Sequence, residues 1–171
     1  MATREMTDAP MPTAPFNSAL ETGIRALCVL TEAYPQTFDL QRLVYFDYLV
    51  VHSADAGGPS SLHPTTPLRN GELLVRRGLI ERGVLLMISR NLAERQIEAK
   101  GLAFAATEDS GPFLECLTSE YTQSLRERAE WAIERFGGMS DEEFRTFIDA
   151  NFERWSREFQ SIGDQGRDFL T

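Results

Sequence analysis

The chain has 171 residues, a mass of 19.3 kDa and 42% hydrophobic residues. This is the size of one domain with a short extension and enough apolar content for a real core, which excludes general disorder. The net charge of −9 and pI near 4.8 argue against an autonomous nucleic-acid binder, because such proteins work by neutralising phosphates. The charge is uneven: residues 69–100 hold 7 basic and 4 acidic side chains, whereas 101–171 hold 7 and 15.

In chain order, residues 1–15 carry charges and prolines but no apolar signal core, and read as a flexible tail. Ser18, with Glu21 three residues on, makes a capping box for a first helix running to about Tyr34, where Pro35 stops it. Leu20, Ile24, Leu27, Cys28 and Leu30 form its apolar stripe. Asp39 caps a second helix that is apolar on nearly every face and so belongs in a core. Asp47, within it, needs a buried partner: a backbone amide or an arginine.

A long loop, 52–70, follows, with both histidines and three of the eight prolines. A loop of this length in a compact domain is uncommon, and Leu62 and Leu68 within it imply that it packs down. Asn70 can cap a third helix to about Arg90, presenting arginines near its start and burying the run from Val84 to Ile88 at its end.

The period then changes from helix to strand. Leu92–Ile97 and Gly101–Thr107 alternate around Glu98-Ala-Lys-Gly, which predicts a hairpin turning at Lys100-Gly101 with Leu102 and Phe104 facing inward. From Pro112 an apolar face continues to Phe136, with a possible break near Thr118-Ser119, before Gly137-Gly138 ends it. Ser140 and Glu143 form a second capping box, and Phe144, Ile148, Phe152, Trp155 and Phe159 then make an amphipathic helix.

The order predicts a mainly α chain with a small β-hairpin: a winged-helix-like core over 16–110 that contains the loop 52–70, followed by a C-terminal helical hairpin over 111–171. A third helix with so apolar an end is poorly suited to a DNA groove. Cys28 and Cys116 have no CxxC spacing and read as buried free thiols in a reducing cytoplasm. Apolar runs are too short to span a membrane.

His52, Asp55 and His63 are the one constellation resembling a site. Two histidines and a carboxylate can ligate zinc or iron, and a histidine near Ser53 can act as a base. More simply, His52 and Asp55 cap the second helix and His63 anchors the loop through a backbone hydrogen bond. No HExxH, Walker A loop, GxSxG or zinc-ribbon pair is present.

The runs Pro15–Leu27, Asp39–Leu49, His52–Pro64 and Arg69–Arg77 together resemble the second family of middle components of bacterial ABC-ATPase three-component systems. The likeness covers roughly Pro15 to Phe136, and its role is similar to that of the small subunit of Lamassu-type antiphage defence complexes. The resemblance implies a non-enzymatic bridging subunit without a cofactor or bound metal. Its partners would be an SMC- or Rad50-like ABC ATPase and an effector such as a nuclease, with DNA met only through the complex. His52, Asp55, His63, Arg69, Arg76, Arg77 and Trp155 then mark a candidate partner interface. Two other readings stay open: a winged-helix transcription regulator, and a small metal-dependent enzyme using His52, Asp55 and His63.

Overall fold

A computed structural model describes the backbone of residues 18–64 and 69–165, and the side chains of 18–64, 73–152 and Arg154. The expected tail over 1–15 and the side chains of Arg69 and Trp155 lie outside the described residues. Among the described residues six α-helices and one two-stranded sheet occur in the order α1 (Ala19–Ala33), α2 (Leu40–Val51), α3 (Arg69–Ser89), β1 (Ala93–Glu98), β2 (Gly101–Ala106), α4 (Ser110–Glu115), α5 (Glu120–Phe136) and α6 (Asp141–Gln165), with a short 3-10 helix, Ser53–Ala56, after α2. The chain is mainly α with a small β-hairpin, as its patterning predicts. Among the described residues no helix is long and apolar enough to cross a membrane.

Local chemistry sets the element ends. The Ser18 hydroxyl accepts from the Glu21 amide at 3.2 Å, and Asp39 caps α2 by accepting from the Arg42 amide at 2.7 Å. At α6 the capping box closes both ways: the Ser140 amide donates to Glu143 at 2.8 Å and the Glu143 amide to Ser140 Oγ at 3.2 Å. The helix predicted from Pro112 to Phe136 is broken over 116–119, and Ser119 caps its second part.

α2 is the hub of the core. Ten of its side chains, from Arg42 to Val51, are buried, and α1, α3 and α5 pack around it. α1 and α3 approach most closely at a pair of glycines: a Cβ on Gly83 would lie 2.5 Å from the Gly23 nitrogen, and one on Gly23 2.7 Å from the Gly83 carbonyl oxygen. Only a residue without a Cβ lets the two backbones come this near. Phe144, Ile148 and Phe152 of α6 complete the core, with Phe144 against Tyr45, Phe46 and Phe136.

The hairpin pairs Ala93 with Ala106 through Glu98 with Gly101, leaving a two-residue turn at Ala99-Lys100. Gly101, at φ +124°, takes a conformation that side-chain-bearing residues rarely adopt. Phe38 adds one further rung on the other edge of β2, exchanging backbone hydrogen bonds of 2.9 and 2.8 Å with Phe104.

Five expectations need correction. The hairpin turns at Ala99-Lys100, one residue before the predicted Lys100-Gly101. Within the run Val84–Ile88, Leu85 is 44% exposed, because five successive residues point around the whole helix and only one side meets the core. Phe104 is buried, but Leu102 is 49% exposed, because the outer end of the hairpin extends past the body of the molecule. Cys116 is exposed, since it falls in the break after α4 rather than on a continuous helix; Cys28 alone is buried. Burial pushes the Cys28 thiol up to about 12, so it remains protonated and packs as a small apolar group. At the start of α3 it is Leu74 and Val75 that face outward, while Arg76 turns inside.

Candidate functional site

Asp47 sits in the middle of an apolar helix and is fully enclosed, so its charge requires compensation within the fold. Arg25 of α1 supplies part of it, its Nε donating to Asp47 Oδ1 at 2.7 Å. Arg76 of α3 binds the other oxygen, Oδ2, through NH1. Three consecutive helices are thus tied at one carboxylate. Burial pushes the Asp47 carboxyl up, but the two guanidiniums more than offset this and hold it below the ordinary carboxylate range.

The network extends outward to the loop. Arg76 NH2 lies 3.4 Å from His52 Nε2, at the C-terminal end of α2. Arg25 also hydrogen-bonds the Tyr121 phenol of α5, and Tyr121 Oη is 2.7 Å from His63 Nε2 in the loop. Tyr48 donates its phenolic hydrogen to Asp55 Oδ2 at 2.7 Å. His63 is lowered to about 4, by burial first and then by Arg25, His52 and Arg76, so it is neutral at pH 7.

The described part of the loop, 52–64, is fastened to α5 as well as to α2. The amides of Leu62 and His63 both donate to the Val51 carbonyl, at 3.0 and 3.1 Å. Ser53 Oγ donates to the Pro59 carbonyl at 2.9 Å. Arg128 of α5 donates to the Ser60 carbonyl through Nε and NH2, at 3.3 and 3.0 Å. Gly58 lies against Trp131 so closely that a Cβ there would be 2.3 Å from the indole ring. The described part of the loop packs down, with Leu62 against the core; Leu68 lies outside the described residues.

His52, Asp55 and His63 therefore converge on one region but not as a ligand set. The two imidazoles are perpendicular, their centroids 6.3 Å apart, and Asp55 and His63 face different tyrosines. Among the described residues no group of three His, Cys, Asp or Glu side chains is placed to hold a metal ion. Of the other candidates, His52 and Arg76 are buried, Asp55 and His63 are partly buried, and Arg77 is exposed, reaching Gln41 Oε1 at 3.0 Å. His63 was expected to anchor the loop through a backbone bond; its amide does so at Val51, and its ring adds the link to Tyr121.

Arg25, Tyr121 and Arg128 were not singled out from the sequence. Arg25 carried a usable signal, a lone charge between Ile24 and Leu27 on the stripe of α1. Tyr121 and Arg128 carried none, because their partners lie about 60 residues away in the loop.

A second arginine acts similarly at the far end of α2. Arg42 donates through NH2 to the carbonyls of Phe136, Gly137 and Met139 at 3.3, 3.2 and 2.8 Å, and through NH1 to Asp141 at 3.0 Å. It thereby satisfies carbonyls left open where α5 ends. It also lines an open cleft of about 610 Å³ between the hairpin turn and the α5–α6 linker.

Searches of curated proteins and of solved structures gave no match. A family model described as ABC-three component (ABC-3C) system Middle Component 2 matches residues 15–158, which takes in every element from α1 to α5, the loop and most of α6. On that match, the chain belongs to the Middle Component 2 family of ABC-three component systems.

Proposed function

We propose that this middle component is a non-enzymatic bridging subunit that links an SMC- or Rad50-like ABC ATPase to a nuclease effector in a bacterial, cytoplasmic defence complex. Its role is like that of the small subunit of Lamassu-type antiphage systems, and it meets DNA only through the complex. The observation that carries this reading is the family match over residues 15–158. Two features of the chain support it. The ionisable groups of the loop, His52, Asp55 and His63, are engaged with Arg76 of α3, Tyr48 of α2 and Tyr121 of α5. Large apolar side chains on α3 and the hairpin, meanwhile, face outward.

We read α1–α3 and the hairpin as a winged-helix-like core, with the Phe38–Phe104 rung extending the wing, and α5 with α6 as the helical hairpin packed onto it. Within the proposed interface region, His52 and Arg76 act from beneath by fixing the loop and α3. Asp55 and His63 hold the loop surface, and Arg69, Arg77 and Trp155 are the contact residues.

The test is co-expression of the tagged chain with the products of its neighbouring genes, followed by native mass spectrometry of what co-purifies. Recovery of a large ATPase and an effector at fixed stoichiometry is the expected result; a lone monomer or homodimer overturns the reading. Exposed Arg77 and Arg82 on α3 favour one second reading, a winged-helix DNA-binding regulator. That reading requires the isolated chain to bind duplex DNA with an affinity that falls steeply as salt rises.

A further inference from the structure

α3 contains three glycines, and two of them differ sharply in surroundings. Gly83 sits under α1 at a backbone-to-backbone crossing, where a Cβ would meet Gly23 at 2.5 Å. Gly78, just over one turn earlier, has nothing within 4 Å of where its Cβ would be. Glycine is, proline aside, the least favourable residue in a helix interior, and among the described residues no packing uses its lack of a side chain at position 78.

On the helix surface Gly78 is flanked by Leu74 and Val75 one turn before it and by Glu81 and Arg82 one turn after it. At 100° per residue, Leu74, Gly78 and Leu85 fall within one narrow arc, with Arg77 and Glu81 along one border and Arg82 and Val75 along the other. Leu74 is 83% exposed, Val75 67% and Leu85 44%. Arg77 and Arg82 are exposed as well, in the one net-basic segment of a chain whose overall charge is −9. A DNA groove asks for basic or polar groups along the middle of the docking face; here leucines and a glycine occupy the middle, and the arginines stand at the sides.

We propose that this outer face of α3 docks a helix of another protein, an amphipathic helix whose apolar side covers Leu74, Val75 and Leu85. Its backbone crosses closely at Gly78, as α1 does at Gly83, and acidic side chains on its flanks meet Arg77 and Arg82. The proposal rests on the bridging reading and gives it a contact surface: an apolar stripe for affinity, a glycine for close approach, and arginines for carboxylates.

Gly78→Ala and Gly78→Leu, Leu74→Glu, and the double variant Arg77→Glu/Arg82→Glu test it in the full chain co-expressed with its neighbouring gene products. Gly78→Ala is expected to raise the melting temperature of the isolated chain by about 2–4 °C, from helix propensity alone. Gly78→Leu and Leu74→Glu are expected to leave the isolated fold intact by circular dichroism while weakening partner recovery by about tenfold or more. The charge reversal weakens recovery most at low salt. If the wild-type complex forms and these variants recover partner at the wild-type level, the docking face is overturned while the bridging reading stands. If the wild-type chain recovers no partner, both fall. If it forms a homodimer that Leu74→Glu splits, or binds duplex DNA through Arg77 and Arg82, the occupant is not a partner helix and the proposal is overturned.

Discussion

Arg25 Nε donates to Asp47 Oδ1 at 2.7 Å in a site where both side chains are only 1% exposed. With Arg76 on the opposite oxygen, one carboxylate serves two guanidiniums from different helices. Such a site is worth far less as a net gain than it costs to break, because removing one partner leaves unpaired charge in the core. Asp47→Asn is therefore expected to destabilise the chain by about 3–5 kcal/mol in urea unfolding. Replacing all three by apolar residues, Arg25→Met, Asp47→Leu and Arg76→Met, should cost clearly less than Asp47→Asn alone. A smaller loss for the single variant would show that water reaches the site.

The same carboxylate gives an acid limit to stability. Its folded value lies below the ordinary one, so its contribution is complete above about pH 4, the unfolded value. It is lost only as the pH falls further, through the folded value.

His63 acts at milder acidity and is separable from Asp47. Its imidazole is held at about 4 in the fold, against about 6.5 when unfolded. Between these values the unfolded chain takes up a proton that the folded chain refuses, so stability declines as pH drops from about 6.5 towards 4. His63→Gln is expected to be less stable than wild type at pH 7, through loss of the tyrosine link, yet to lose less on going to pH 5. Urea midpoints measured across that range would check this; parallel curves for the two proteins would refute it.

Two glycines of α3 should respond to alanine with opposite signs. Gly83→Ala puts a methyl group 2.5 Å from the Gly23 nitrogen, and forcing α1 and α3 apart is expected to cost about 1–3 kcal/mol. Gly78→Ala meets open space and should stabilise the isolated chain by up to about 1 kcal/mol. Thermal unfolding of the pair gives the comparison in one experiment.

Arg42 closes the end of α5 with three carbonyl contacts and an ion pair to Asp141. Arg42→Met keeps much of the aliphatic packing but leaves those carbonyls without their donor, and a loss of about 2–4 kcal/mol is expected. Arg42→Lys should recover little of it, because one ammonium cannot reproduce the planar fork. Hydrogen exchange at the α5–α6 junction should accelerate in both variants.

Periodicity and capping chemistry act over a few residues, and elements written in that range were legible. The stripes of α1 and α6, the Ser140–Glu143 box and the helix-to-strand change after Arg90 all depend on neighbours in sequence. The break before α5 was visible at Thr118-Ser119 for the same reason. Leu102 was misplaced because alternation assigns a strand face but cannot tell where the body beneath that face ends. Cys116 was misplaced because an apolar neighbourhood in sequence is not one in space.

The sequence by itself determined a mainly helical chain, the need to compensate Asp47, the packing down of the loop over its described part, 52–64, and the family, through local runs that carry the likeness. Only the tertiary structure decided that Arg25 and Arg76 compensate Asp47 and that His63 meets Tyr121 rather than His52 and Asp55 as a ligand set. It alone showed Arg76 turned inward while Leu74 and Val75 face out. Each of these depends on the rotation and crossing of helices distant in sequence, set by close approaches such as Gly23 on Gly83, and no local pattern encodes them.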